Sequence, residues 1–260
     1  MERGIYVERG GLMQHVNKML FVGWLFMSTS VWAIDLTVSA AASLTQAFQE
    51  IGKQFEAQNP GIKLRFNFAA SGTLLQQIVN GAPVDVFASA DTDTMEKAIA
   101  KSVVNRADSQ IFAANKLVVI TAATSAAELK QLSDLKKPGF KRIAMGLPAS
   151  VPAGHYAQEA MEKAGMWSDV KDRIISTQNV RQALDYVVRN EVDAGFVYAS
   201  DAILMSEKVK VAFQVKTRSP IQYPIAKVAA SSQSAPANRF IAFVQSSDGQ
   251  AVLKKHGFGG

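Results

Sequence analysis

Between residues 34 and 100 the chain alternates strand and helix patterns without interruption, and a chain written this way has few folds open to it. Leu36, Val38 and Ala40 place every second side chain on one face and end a strand, after which Leu44, Ala47, Phe48, Ile51 and Phe55 recur at helical spacing. Asn59-Pro60-Gly61 reads as a turn, and Ile62, Leu64, Phe66 and Phe68 alternate with Lys63, Arg65 and Asn67 as a strand half exposed on one face. Leu74, Leu75, Ile78 and Val79 mark a short helix, Gly81-Ala82-Pro83 breaks the chain, Val84 to Ala88 is a third strand, and a helix from Asp91 to Ala100 starts behind an acidic cap. Strand-helix units in series predict an α/β fold with a parallel, doubly wound sheet, because a parallel neighbour is reached only through a crossover, which each helix supplies.

The middle of the chain continues in the same style. Lys116 to Thr121 is an apolar run suited to a strand buried on both faces, followed by a short strand at Arg142 to Met145 and a helix carried by Tyr156, Ala160, Met161 and Ala164. Ile174-Ile175 reads as a brief strand, Val180, Ala183, Leu184, Val187 and Val188 as an amphipathic helix, and Ala194 to Tyr198 as a strand. The last third reverses the order: strands at Val209 to Phe213 and Gln222 to Val228 precede helices at Arg239 to Val244 and Gln250 to Lys255, which return to the first sheet. The expected architecture is therefore two doubly wound lobes, one from 34–115 plus 219–260 and the other from 116–218, joined by two crossing strands.

The mouths of these units share a chemistry. In Ser39-Ala40-Ala41-Ala42-Ser43-Leu44-Thr45 a strand ends and a helix begins with no charged side chain between them, and Ser43 falls at the expected N-cap. Free N–H groups at a helix start carry about half a positive charge, so a hydroxyl beside them completes an anion seat; plain capping explains the same serine. Ser71, in Ala69-Ala70-Ser71-Gly72-Thr73, repeats the arrangement. So do Pro152-Ala153-Gly154, where proline suits a first turn and small residues admit a ligand to the backbone, the Gln178-Asn179 helix start, and Ala199-Ser200-Asp201.

Composition narrows the function. Lys plus Arg exceed Asp plus Glu by 28 to 22, a net charge of +6, yet the bases are scattered without a run or aromatic interleaving, so no nucleic-acid partner is expected. Cysteine is absent, which leaves no thiolate metal site, thiol nucleophile or lipoprotein anchor. No Gly-x-Ser-x-Gly, Walker loop, His-Glu-x-x-His or dinucleotide fingerprint is found, and the chain is expected not to be an enzyme and to need no cofactor. His155 is expected as a solvated helix-start residue, Asp85, Asp91 and Asp93 as caps or solvated groups, and Arg181 as a surface side chain or, alternatively, one that reaches an oxyanion. Met13 to Lys18, the apolar run Met19 to Met27, and Val31-Trp32-Ala33 form the three regions of a secretory signal peptide. Cleavage is expected after Ala33, giving a periplasmic chain, with 1–12 an over-long start.

Ala41-Ala42-Ser43-Leu44-Thr45, Ala70-Ser71-Gly72-Thr73-Leu74, Val151-Pro152-Ala153-Gly154, Asn179-Val180-Arg181 and Val197-Tyr198-Ala199-Ser200-Asp201 occur in order, closing on Lys254-Lys255-His256-Gly257-Phe258. Together they resemble the bacterial periplasmic molybdate-binding proteins that feed molybdate ABC importers, over essentially the whole chain from Ile34. The resemblance implies a type II periplasmic binding protein, monomeric, that closes two lobes on molybdate or tungstate and delivers it to a membrane permease. It also implies a ligand set: hydroxyls and N–H groups of Ser43 and Ser71, N–H groups of Ala153 and Val180, and the Tyr198 phenol, all binding molybdenum as its oxyanion rather than as a bare cation. Gly72 departs from the pattern, where many relatives carry a further serine, so no side-chain ligand is expected there. Sulfate, phosphate, ferric ion or an organic acid are the alternatives; the absence of a carboxylate among the five disfavours a protonated phosphate, and the lone Tyr198 disfavours iron.

Overall fold

A computed structural model describes residues 33–259, together with Met1 and Gly4. The segment read as the body of a signal peptide, 13–32, lies outside the described residues, as does most of the over-long start. Among the described residues no helix is long and apolar enough to cross a membrane.

In chain order come β1 (Ile34–Ala41), α1 (Thr45–Gln58), β2 (Ile62–Ala69), α2 (Ser71–Val79), β3 (Val86–Ala88), α3 (Thr92–Ala100) and β4 (Gln110–Asn115). Then follow β5 (Leu117–Ala122), β6 (Ile143–Gly146), α4 (Pro152–Lys163), α5 (Trp167–Val170), β7 (Ile174–Thr177), α6 (Val180–Val188), β8 (Ala194–Tyr198), α7 (Ala199–Leu204) and β9 (Val209–Gln214). The chain ends with β10 (Ile221–Lys227), α8 (Ser234–Gln245) and α9 (Ser247–Lys255). Two five-stranded sheets result, ordered β2-β1-β3-β10-β4 and β7-β6-β8-β5-β9.

The strand-helix units pair as their spacing demands: β1 lies parallel to β2 and β3, with Val38 opposite Phe66 and Val86, and β6 lies parallel to β7 and β8. The crossing strands do not. β4 runs toward the junction of the sheets, and β5, continuing through Lys116 alone, runs away from it, so β5 pairs antiparallel with β8. β9 returns, and β10 enters the first sheet antiparallel to β3 and β4. The sheets are therefore mixed, parallel across the strand-helix units and antiparallel at β10, β5 and their neighbours. β4 was not expected as a strand at all; it holds an edge of the first sheet and is fixed by β10, which is far away in sequence.

Packing follows the apolar stripes. The six residues of β5 are all buried, as suits a strand covered on both faces. Phe48 and Phe55 of α1 meet Phe240 of α8 edge to face at 5.9 and 5.4 Å between ring centres, contacts worth about 0.5–1.5 kcal/mol each beyond area burial. Gly154 is set by packing: a Cβ there would lie 1.8 Å from the carbonyl oxygen of Gly146, so α4 can press on β6 only with glycine at this position.

Candidate functional site

The parallel strands of both sheets deliver their carboxyl ends to one junction, where ligands of open α/β sheets are held. There a small cavity, with about 10 Å³ open to the centre of a water-sized sphere, is lined by Ala41, Ala42, Ser43, Ala69, Ala70, Ser71 and Ala90 from the first sheet and by Val151, Pro152, Ala153, Asn179, Val180 and Tyr198 from the second. The five residues singled out from sequence, Ser43, Ser71, Ala153, Val180 and Tyr198, all lie on this one wall. The open volume is far below the roughly 300–1,000 Å³ of pockets for drug-sized molecules. None of its lining side chains is charged.

Each element presents polar hydrogen toward this space for a local reason. Ser71 opens α2 and Val180 opens α6, while Ala153 follows Pro152 in the first turn of α4. N–H groups of a first helical turn have no intrahelical acceptor and point out of the helix end. At α6 the Asn179 side chain takes the Gln182 N–H at 3.0 Å, which leaves the Val180 N–H unclaimed by the cap. Ser71 Oγ accepts the Ala90 N–H at 3.0 Å, so its own proton remains to be donated.

Ser43 differs from expectation. It sits inside a short 3₁₀ turn, Ala42–Leu44, and caps nothing with its side chain. Thr45 Oγ1 binds the Ala42 carbonyl instead, at 2.7 Å, and Ser43 Oγ lies 3.0 Å from the Tyr223 hydroxyl. Tyr198 ends β8 fully buried, and its hydroxyl finds no hydrogen-bond partner among the described protein groups. Burial raises the phenol of Tyr198, and that of Tyr223, well above the usual tyrosine range, so both stay protonated donors.

Charges stand just behind the wall. Arg181, expected at the surface, is largely buried: its Nη2 donates to the Ser43 carbonyl at 3.0 Å and its Nε lies 2.9 Å from Asp201 Oδ1. Asp201 Oδ2 accepts the Tyr198 N–H at 3.0 Å. Burial pushes the Asp201 carboxyl up, against the opposing pull of Arg181 and of that N–H. Asp91 caps α3 through the Thr94 N–H at 3.1 Å, as expected, and Asp85 takes the Thr37 N–H at 2.8 Å. His155 is half exposed and lies 3.7 Å from Asp93. Among the described residues no cluster of His, Asp or Glu is arranged to hold a metal cation.

The two sheets touch around the cavity. Gly72 N–H donates to the Ser150 carbonyl at 3.0 Å, and a Cβ at residue 72 would come within 2.8 Å of that oxygen, so glycine permits the approach. On the far side Asn115 Nδ2 reaches Ser200 Oγ at 2.9 Å and Tyr223 Oη at 3.4 Å. Sequence patterns missed Asn115 and Tyr223 as site neighbours. A buried asparagine beside Lys116 and a tyrosine before Pro224 carry no periodic signal, and only the pairing of β4 with β10 brings them together.

These features can be set beside known proteins. YvgL of Bacillus subtilis, a candidate ABC transporter substrate-binding lipoprotein, is 37% identical over 227 residues, 86% of this chain and 86% of its own length. The molybdate-binding protein ModA of Haemophilus influenzae is 35% identical over 249 residues, 94% of this chain and 96% of its own. Among solved structures, the substrate-binding domain of a candidate molybdenum ABC transporter from Clostridium difficile superposes with a TM-score of 0.66 at 34% identity, covering 87% of this chain and 98% of that one. Residues 36–259 match the bacterial extracellular solute-binding proteins, and this chain belongs to that family.

Proposed function

We propose that this chain captures molybdate, and tungstate with it, between two lobes outside the cytoplasm and delivers it to the membrane permease of an ABC importer. The observation that carries this reading is the buried Tyr198 hydroxyl, a donor without a protein partner on the wall of a small, uncharged cavity. An unsatisfied buried donor costs about 1–3 kcal/mol, and an anion seated in the cavity removes that cost. Ser43, Ser71 and Tyr198 supply hydroxyls, while Ala153 and Val180 supply N–H groups of helix starts; together they can wrap a tetrahedral dianion without a formal cation. The relative from H. influenzae, named for molybdate, supports the choice of anion.

The lobes are 34–115 with 219–260 and 116–218, and a ligand gripped from both sides stabilises their closed arrangement. The permease reads that closure. No side chain lining the cavity is a carboxylate, histidine or lysine. Export uses the N-terminal signal with cleavage after Ala33, and the protein acts as a monomer.

Titration of the anion-stripped protein with molybdate, tungstate, sulfate and phosphate, by calorimetry with a thermal-shift readout, tests this. One-to-one binding of molybdate and tungstate with no response to sulfate is expected, because the donors are alike for all three and cavity size alone separates them. Tight sulfate binding would move the substrate, and silence from all four anions would reduce the junctions to helix caps.

A further inference from the structure

Three hydrogen bonds join residues 34–115 and 219–260 to residues 116–218 around the cavity, and they differ in how much they can give. Arg181 reaches the Ser43 carbonyl through a long side chain that can follow a small movement. Asn115 meets Ser200 beside Lys116, where the chain crosses and a rotation of one part against the other moves it least. Gly72 and Ser150 are another matter: among the described residues theirs is the one backbone-to-backbone hydrogen bond between the two parts, at 3.0 Å.

Both of its ends are fixed. Gly72 lies in the first turn of α2, whose start is held by the buried Ser71, its Oγ accepting the Ala90 N–H. A first-turn N–H has no acceptor inside its helix and is free to take one across the gap. The Ser150 carbonyl belongs to the turn between β6 and α4. Ser150 and Val151 both give their N–H to the Leu147 carbonyl, at 3.1 and 2.8 Å, and the Leu147 N–H is tied to the Thr177 carbonyl of β7 at 2.9 Å. Val151 is buried and packs directly over Gly146. Neither Gly72 nor Ser150 lines the cavity, yet Gly72 follows Ser71 and Ser150 shortly precedes Ala153, so the bond ties together two helix starts that do. A Cβ at residue 72 would lie 2.8 Å from the Ser150 oxygen and 2.9 Å from the Ser150 Cα, too close for atoms of a pinned turn to accept. The gap between α2 and α4 would have to widen.

We infer that Gly72 is a positioning residue: its N–H and the Ser150 carbonyl form a backbone latch that holds the two lobes shut over the bound anion, and the missing side chain lets the latch close. The inference rests on the two-lobed capture proposed above and adds the contact that sets how long the anion stays. When the lobes are apart the Gly72 N–H faces water, and the bond forms only on closure. The latch therefore acts on release and not on encounter.

The test measures escape of radiolabelled molybdate into excess unlabelled molybdate. From Gly72→Ala it should be about 10-fold faster than from the wild type, the scale of one hydrogen bond, with the association rate unchanged. The anion-free variant should be no less stable in denaturant titrations, because alanine forms helix better than glycine. Thr73→Ala, at the exposed next position, should release molybdate at the wild-type rate. A glycine needed only for packing predicts the reverse, lost stability with unchanged release. Hydrogen exchange at the Gly72 amide of the wild type reads the latch without a substitution and carries the test if Gly72→Ala fails to fold. Exchange should be slow with molybdate bound and fast in the stripped protein. Equal exchange in the two states, an unchanged release rate in Gly72→Ala, or equally faster release from Thr73→Ala overturns the latch while leaving molybdate capture standing. A wild type that binds no molybdate overturns the functional reading, and the latch with it.

Discussion

The two halves of the cavity wall solve one problem with different materials. The first sheet contributes side-chain hydroxyls, Ser43 and Ser71, each held by a neighbour: Ser43 Oγ lies 3.0 Å from the Tyr223 hydroxyl, and Ser71 Oγ accepts the Ala90 N–H. The second sheet contributes backbone N–H groups at the starts of α4 and α6, a single unpartnered phenol, and a pair of charges, Arg181 and Asp201, held behind the wall. The difference teaches that a neutral donor shell needs support of its own kind on each side. Hydroxyls must have their direction set by a second ring of groups, whereas helix N–H groups are aimed by the helix itself. It also means that substitutions edit the first half directly but reach the second half mainly through whatever seats its helices.

The largest expected effect tests the charges behind the second half. Arg181→Met leaves the buried Asp201 without its countercharge, and the ligand-free protein should lose about 3–5 kcal/mol of folding stability in denaturant titrations. A loss below about 1 kcal/mol would mean that the pair does not support this half, and the contrast drawn above would fail there. Next come paired deletions, one hydroxyl from each side. Ser71→Ala and Tyr198→Phe should each weaken molybdate binding by about 1–3 kcal/mol in calorimetry. Their effects on the ligand-free protein should differ: Ser71→Ala strands the Ala90 N–H and costs about 1–3 kcal/mol of stability, whereas Tyr198→Phe strands nothing and should cost none. Equal stability changes would erase the distinction between supported and unpartnered hydroxyls.

The smallest effect appears in alkali. Tyr198 and Tyr223 have folded-state pKa values raised above the unfolded value of about 10 by burial. Unfolded tyrosines therefore ionise first, and the stability these two contribute is whole below about pH 10 and lost as pH rises through their folded values. Unfolding titrations at rising pH should show that decline in the wild type and a shallower one in Tyr198→Phe; parallel curves would show that Tyr198 does not share in it.

Much of this was legible from sequence because it is local. Leu44, Ala47, Phe48, Ile51 and Phe55 announce α1 by spacing, and all five are buried as that spacing requires. The cavity residues were legible as short junction motifs, and the structure brings Ser43, Ser71, Ala153, Val180 and Tyr198 to one wall. What escaped depends on partners far away in sequence. β4 is an irregular strand made regular by β10, and Arg181, surface-like on its own helix, becomes an inner group only because Ser43, 138 residues away, and Asp201 come to meet it.

The sequence by itself determined the alternation of strands and helices, the uncharged helix starts and the supply of hydroxyls, because apolar periodicity, proline and N-terminal caps act within a few residues. Only the tertiary structure decided which way those hydroxyls point and where the charges are neutralised. A hydrogen bond needs a partner in place, and at Ser43 that partner is Tyr223, 180 residues along the chain, which Asn115 reaches in turn. No periodicity in the sequence encodes a proton's orientation.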